Sequence, residues 1–145
     1  FSFVWKLYYE MQMPMLLGYK KVYGDLESFH IHGICLVNHA LHSKKNDNSE
    51  MNKEFYLEKY FFAEQKDEVG VNAMSISDIT GIPRATVIRK LNILLKQKFL
   101  TIDSKKHYSI TGVHQKKILD VQKNTLNNLS KFSTRIYNLS LMKDN

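Results

Sequence analysis

Apolar side chains recur every three or four residues along several stretches of the chain, which is the spacing of amphipathic α-helices. The first stretch covers residues 3–22, and we expect Pro14 to kink or split its helix. Further helices are predicted over about 26–42, over 52–65 and, as a long last element, over about 112–142. The apolar face predicted for the second of these helices consists of Ile31, Ile34, Val37 and Leu41.

The pattern changes after residue 74, where short elements follow one another closely. Ser75 or Ser77 can cap a short helix, because a hydroxyl oxygen at that position accepts a hydrogen bond from a free backbone N–H. Gly81 tolerates the positive φ of a sharp turn. Pro83 suits the first position of the next helix, which is predicted to run to about Lys98.

Two short segments with alternating apolar residues, 100–103 and 107–111, follow that helix. They are separated by Ser104-Lys105-Lys106, so they predict a β-hairpin with a basic tip. A short helix, a glycine turn, a proline-started helix and a hairpin form, in that order, a winged helix-turn-helix. We therefore expect a mostly α-helical protein with a small β-hairpin wing, in which N- and C-terminal helices flank the winged helix-turn-helix.

Charge is distributed unevenly over the three regions that this interpretation defines, an N-terminal helical region (1–74), the winged core (75–111) and a long C-terminal helix (112–145). The 145-residue chain has a net charge of +7 at neutral pH. Residues 1–74 carry eight Lys/Arg and ten Asp/Glu, whereas the core carries seven and two, and the C-terminal region six and two. Because the positive charge lies in the second half, an anionic partner is expected, with nucleic acid ahead of a membrane.

The core also resembles known proteins. The stretch "ISDITGIPRATVIRKLNILLKQKFL" (76–100) is similar to the DNA-binding core of bacterial transcription regulators of the isocitrate-lyase-regulator (IclR) and multiple-antibiotic-resistance-regulator (MarR) types. Those families have a short helix, a Gly-Leu/Ile turn, a Pro/Ser-Arg-Ala/Ser-Thr-Val helix start and then Leu-x-x-Leu. The residues that match in order are Gly81, Ile82, Pro83, Arg84, Ala85, Thr86, Val87, Leu91 and Leu94. The chain departs at Lys98, where those families usually have glycine.

The resemblance implies a sequence-specific DNA-binding transcription regulator that inserts the 83–98 helix into the major groove of double-stranded DNA, with the 100–111 hairpin as its wing. The helical period is consistent with this, since it points Val87, Leu91 and Leu94 into the core and leaves the opposite side polar. Arginine can read guanine, asparagine can read adenine, and a threonine methyl can touch thymine. The DNA-binding residues predicted on these grounds are Ser75, Ser77, Pro83, Arg84, Ala85, Thr86, Arg89, Lys90, Asn92, Lys96, Lys105, Lys106 and His107.

Other functions remain open from the sequence. A winged helix can also be a protein-interaction or assembly module, and a DNA-binding one can belong to a replication or partition protein. RNA binding is a further alternative. The sequence has no phosphate loop, dinucleotide fingerprint, paired metal-ligand motif or nucleophile signature, so neither an enzyme activity nor a cofactor is predicted.

Four residues of the second helix, His32, Cys35, His39 and His42, fall on one stripe. Histidine and cysteine are ligands for zinc and other soft metals. One straight helix rarely supplies more than two ligands to one ion, however, and the stripe contains no carboxylate. We therefore expect a helix face that packs against another helix or subunit rather than a metal site. Redox sensing by Cys35 is not expected, because no cation nearby would lower the pKa of its thiol.

The amphipathic terminal helices predict a homodimer, since such stripes often bury each other across a two-fold axis. The stripe predicted on the last helix consists of Ile118, Val121, Leu129, Phe132, Ile136 and Leu139. A small-molecule effector pocket between such helices is a further expectation. No membrane span or secretory signal is predicted, and the single cysteine favours a reducing cytoplasm. Because the chain begins at Phe1 rather than Met, we expect either a processed product or a piece of a longer protein.

Overall fold

The computed structural model describes residues 2–43 and 70–141, with side chains up to residue 40 in the first range. The helix predicted over 52–65 and the side chain of His42 lie outside these residues. The described part is mostly helical, with one small antiparallel hairpin. Its elements in chain order are α1 (Ser2–Tyr23), α2 (Leu26–Ser43), α3 (Ala73–Thr80), α4 (Arg84–Lys96), β1 (Leu100–Ile102), β2 (Tyr108–Ile110) and α5 (Gln115–Leu141).

The chain divides into two compact units, and this division does not follow chain order. One, here the terminal unit, combines residues 1–26 with residues 116–145. The other, here the central unit, covers 27–115. The helix α2, which we had grouped with the N-terminal region, therefore has nearly all of its residues in the same unit as α3, α4 and the hairpin.

The terminal unit is an antiparallel pair of helices. The ring of Tyr8 near the start of α1 lies 6.4 Å from that of Phe132 near the end of α5. At the opposite end of the pair, a Cβ added to Gly18 would lie 3.1 Å from a methyl group of Val121, so the helices approach closely there. The helix α1 runs unbroken through Pro14, so the predicted split is wrong. It ends before Gly24, which has a positive φ of 86°.

In the central unit, the face of α2 that is buried differs from the predicted one. Val37, expected on the apolar face, is 55% exposed. The buried residues of this helix instead lie on one helical face, and they are Ser28, Ile31, His32, Cys35 and His39. The histidine and cysteine stripe is therefore a packing face, as the sequence had suggested, and part of the predicted apolar face is turned outward.

The short helix α3 begins at least three residues earlier than predicted. Asn72 is its N-cap, and the side-chain oxygen of Asn72 accepts a hydrogen bond of 2.9 Å from the backbone N–H of Ser75. The predicted caps, Ser75 and Ser77, lie inside the helix instead. Gly81 ends α3 with φ 70° and ψ 3°, and its N–H bonds the carbonyl of Ser77, so the predicted sharp glycine turn into α4 is confirmed.

We expect Gly81→Ala to lower the free energy of unfolding by about 1 kcal/mol, because alanine adopts a positive φ only at a cost. A Cβ at Gly81 would meet nothing within 4 Å, so this cost is conformational and not steric. Gly112 is the matched control, since its surroundings are equally open and its φ is not in the positive range. Denaturant unfolding of both variants measures the difference, and equal effects would contradict this explanation.

Candidate nucleic-acid interface

The orientation of α4 is determined by its apolar side. Val87, Leu91 and Leu94 are each 0% exposed, as their spacing predicted. The helix contacts both α3 and β1. Since three of its side chains are locked into the core, the opposite side of α4 is held in a defined position.

That opposite side carries most of the predicted contact residues. Successive residues are about 100° apart around a helix axis, so the exposed positions form one continuous outer surface. This surface, called the outer face of α4 below, consists of Arg84, Ala85, Ile88, Arg89, Asn92 and Lys96. It contains three cationic side chains and no acidic one. Pro83, also exposed, is the N-cap residue of α4 and not its first helical residue as predicted, because its ψ of 135° is not helical.

Lys90 differs from the other predicted contact residues. It is only 7% exposed, and its Nζ lies 3.2 Å from a carboxylate oxygen of Glu27, in the first turn of α2. Around the helix, Lys90 falls on the border of the buried side and not on the outer face of α4. We therefore assign Lys90 to the contact between α4 and α2 and omit it from the interface.

Three predicted hydroxyl residues also differ from one another. The Ser77 hydroxyl donates a hydrogen bond of 2.7 Å to the carbonyl of Ile82, so it supports the turn between α3 and α4. Ser75 and Thr86 are half-buried. Ser77 is half-buried as well, and its hydroxyl is engaged in this hydrogen bond within the protein.

The end of α4 has the hydrogen bonds of a Schellman motif, with a lysine in the place that glycine usually takes. The N–H of Phe99 bonds the carbonyl of Leu94 at 2.9 Å, and the N–H of Lys98 bonds that of Leu95 at 3.0 Å. Lys98 has a positive φ of 62°. The departure from the family pattern at this position therefore leaves the left-handed helix end intact, at a cost of about 1 kcal/mol.

Two carbonyls just after α4 accept hydrogen bonds from side chains of the segment that leads into α5. The Thr111 hydroxyl donates to the carbonyl of Lys98, and His114 Nε2 donates to that of Gln97 at 2.6 Å. The ring of His114 also lies 4.2 Å from that of Phe99, which in turn contacts His32 of α2. These contacts attach the end of α4, and with it the start of the hairpin, to the core of the central unit.

The hairpin pairs β1 with β2 in the register Leu100↔Ile110, Thr101↔Ser109 and Ile102↔Tyr108. A third segment joins it, because Val71 and Tyr108 exchange two backbone hydrogen bonds of 3.1 and 2.9 Å. Next to Val71, the backbone at Gly70 passes so close to His107 that a Cβ would lie 2.5 Å from the Cβ of His107. No pattern around residue 71 was strong enough to predict this one-residue bridge.

Asp103 organises the tip of the hairpin, and sequence reasoning missed it. Its Oδ1 accepts hydrogen bonds of 2.8 Å from the N–H groups of both Lys105 and His107. These bonds, that of His107 first, lower the pKa of the Asp103 carboxyl. Lys105 and Lys106 are exposed, whereas His107 is half-buried with its Nδ1 3.3 Å from Asp103. An aspartate two residues before the backbone N–H groups of a turn was the available signal.

The buried histidine and cysteine stripe of α2 forms no metal site in the part of the chain that the structure describes, where no three His, Cys, Asp or Glu side chains come together in a suitable way. Burial, with a smaller effect of the charge of His114, lowers the pKa of His32 to about 4. Burial also raises the pKa of the Cys35 thiol to about 12. Both side chains are therefore neutral at physiological pH, as a packing face requires.

A groove of about 420 Å³ lies between the two helices of the terminal unit. Glu10 lies within it and contacts two cations, Arg135 at 3.1 Å and Lys6 at 3.7 Å. The apolar walls of the groove are formed by Phe3, Leu7 and Leu139. The groove is the place in this unit where the predicted effector would fit, and effector binding remains a prediction.

Comparison with known protein families, with curated proteins and with solved structures found no match to this chain. Among the helices of residues 2–43 and 70–141, none has the length and apolar character needed to cross a membrane.

Proposed function

We propose that the protein is a winged helix-turn-helix transcription regulator that binds double-stranded DNA in a sequence-specific manner. The observation that carries this proposal is the outer face of α4, where Arg84, Arg89 and Lys96 surround Ala85 and Asn92. The helix is anchored on its other side by the fully buried Val87, Leu91 and Leu94. A rigid helix that presents cations and an amide outward is suited to the major groove, where these groups bond guanine and adenine edges.

The hairpin supports the same function. Its tip projects Lys105 and Lys106 from a turn that the hydrogen bonds of Asp103 hold in shape. Lysines at such a tip are suited to phosphate oxygens, which position a protein on the duplex without reading its sequence. The helix α4 and the hairpin both lie in residues 75–111, and these 37 residues have a net charge of +5.

Selection of binding sites from a pool of random duplex DNA tests the proposal directly. We expect the full chain to enrich a defined sequence, and a dimer to enrich a palindrome whose half-sites are about one helical turn apart. A pool that stays random after repeated selection would contradict sequence-specific binding. Binding of that random pool with an affinity that falls steeply with salt would instead point to a replication or partition protein.

We expect replacement of both Lys105 and Lys106 by alanine to weaken DNA binding to a similar extent on every sequence. Each lost phosphate contact should reduce the slope of log K against log[salt] by roughly one unit. Titrations at several salt concentrations measure this slope. The matched control is the double replacement of Lys20 and Lys21, two exposed lysines of α1. An equal change in both variants would mean that net charge alone, and not the hairpin tip, is responsible.

A winged-helix protein-interaction module is the alternative from another class. Two large apolar side chains of α3, Met74 and Ile79, are 51% and 62% exposed and favour it. A protein partner would bury them, whereas DNA phosphates would not. Replacing both by serine should leave DNA binding nearly unchanged if the regulator proposal is correct.

The terminal unit supports a homodimer. Four large side chains of α1, spaced four residues apart, face away from α5 and are 46–60% exposed, and they are Trp5, Tyr9, Met13 and Leu17. Together they present roughly 400 Å² of surface, about half of what one partner contributes to a stable interface. Two helices cannot enclose such a stripe, whereas a second antiparallel pair can cover it and complete a four-helix bundle. Phe132, which we expected in the interface, contacts Tyr8 of the same chain, so the exposed stripe of α1 is the better place to test the dimer.

Tyr9→Asp combined with Met13→Asp should therefore convert the dimer to a monomer, because each new carboxylate would be buried without a partner. Sedimentation at micromolar concentration measures the change. Val37→Asp introduces one such carboxylate at an exposed apolar position of α2 and should have no effect on the sedimentation. If the unmodified protein already sediments as a monomer, the homodimer is refuted.

A further inference from the structure

An isoleucine lies in the middle of the outer face of α4. Ile88 is 40% exposed, whereas the other large aliphatic side chains on which α4 packs, Val87, Leu91 and Leu94, are 0% exposed. Ile88 follows Arg84 by four residues and precedes Asn92 by four, so both are its direct neighbours on the helix surface. The core does not require an apolar side chain at this position.

Helix formation does not account for Ile88 either. Isoleucine is β-branched and loses side-chain freedom in a helix, so lysine, glutamate or alanine would stabilise an exposed helical position better. A single exposed apolar side chain is common on protein surfaces. Ile88, however, lies among groups that are each suited to a base edge, and Ala85, three residues before it, is small enough to let an opposing surface come close.

The major groove of DNA offers one apolar group on its base edges, the C5 methyl of thymine. An aliphatic side chain held between a base-reading arginine and a base-reading asparagine would meet that methyl. We infer that Ile88 is a specificity-determining residue that recognises the C5 methyl group of a thymine in the target DNA. This inference rests on the proposed DNA binding, and it specifies one base, a thymine, that the protein would recognise.

The neighbours of Ile88 make the expected site more specific. Asn92 can bond an adenine and Arg84 a guanine through two hydrogen bonds each. A helix in the groove brings side chains four residues apart to adjacent base pairs, so the thymine should lie next to the bases read by these two residues. A target without thymine among its contacted pairs is not expected.

The experiment uses the full chain and the duplex most strongly enriched from random DNA. Each thymine in turn is replaced by deoxyuridine, which keeps base pairing and removes only the methyl group. We expect one replacement per half-site to weaken binding about fourfold. This factor corresponds to the free energy that burial of one methyl group contributes to binding. With Ile88→Ala, the same replacement should have no effect, while the response at the other thymines stays unchanged.

Two variants serve as controls. Val37→Ala likewise shortens an exposed β-branched side chain, on α2, and should keep the response to deoxyuridine. Ile88→Val should retain part of the response to deoxyuridine, because valine keeps most of the aliphatic side chain. Ile88→Ala is expected to fold, because the side chain is exposed and alanine favours the helix.

The outcomes separate this inference from the proposed function. If a sequence is enriched and bound but no thymine methyl matters, or if Ile88→Ala leaves the response intact, the role of Ile88 is refuted and DNA binding stands. If no sequence is enriched, the proposed function fails and the role of Ile88 fails with it. If Ile88→Ala abolishes capture of a protein partner and leaves DNA binding unchanged, Ile88 belongs to a protein interface and the inference is overturned.

Discussion

Arg89→Ala should weaken binding to the best DNA site by roughly 1–3 kcal/mol, or about 5- to 150-fold, and should relax the preference at one base pair. Arg89 is exposed on the outer face of α4, and the backbone that carries it is held by the fully buried Val87 and Leu91. A guanidinium in that position can bond two acceptors of one guanine, which a smaller side chain cannot replace. Binding titrations on the enriched duplex and on each of its single-base variants measure both effects.

Arg89→Lys distinguishes base reading from phosphate contact. Lysine keeps the charge but lacks the planar, two-pronged geometry of arginine. If Arg89 reads a guanine, Arg89→Lys should lose most of the preference at that base pair. If it bonds a phosphate, lysine should substitute well, and Arg89→Ala should weaken specific and random DNA equally. Undiminished binding by Arg89→Ala would mean that α4 does not enter the groove.

Acid should destabilise the central unit well before its carboxylates titrate. In the unfolded chain, His32 has a pKa near 6.5, whereas burial lowers its pKa to about 4 in the folded protein. Between these two values the unfolded state binds more protons than the folded state, so stability falls as the pH falls. The shift corresponds to a loss of about 3 kcal/mol from pH 6.5 to pH 4. Denaturant unfolding at half-unit pH steps measures the slope.

His32→Phe should flatten this slope while keeping a ring against Phe99, whose centroid lies 5.7 Å from that of His32. The variant can be more or less stable at neutral pH, but its stability should change less between pH 6.5 and pH 4. His30→Gln on the same helix is the control, because His30 is exposed. A slope that survives in His32→Phe and disappears in His30→Gln would show that the buried ring is not responsible.

The spacing of apolar residues correctly predicted the long helices and the buried side of α4. Three of the four predicted long helices lie in the described residues, and each agrees with the structure within a few residues. The core side of α4 was also correctly predicted, because Val87, Leu91 and Leu94 are strictly apolar and regularly spaced. Gly81 was predictable for a different reason, since few residues other than glycine tolerate such a turn.

Other features depend on contacts between distant segments, which a linear pattern does not contain. Lys90 resembled its basic neighbours in sequence, and only the position of Glu27 on α2 shows that it faces inward. On α2, both the aliphatic stripe and the histidine stripe have helical spacing, and the sequence alone did not show that Ile31 is buried with the histidine stripe while Val37 is exposed. The burial of His32 becomes evident only from its contact with the ring of Phe99, which comes from a distant segment.

The close approach at Gly70 has a consequence for how this sequence can vary. Any side chain at residue 70 would collide with His107, whose Cβ lies 2.5 Å from the site of an added Cβ. Lys98 and Lys106 also have positive φ values, yet both positions accept a side chain, at a conformational cost of about 1 kcal/mol each. In descendants of this chain that keep its fold, residue 70 should therefore stay glycine. Residues 98 and 106 should drift among a few residue types, although they too lie at turns.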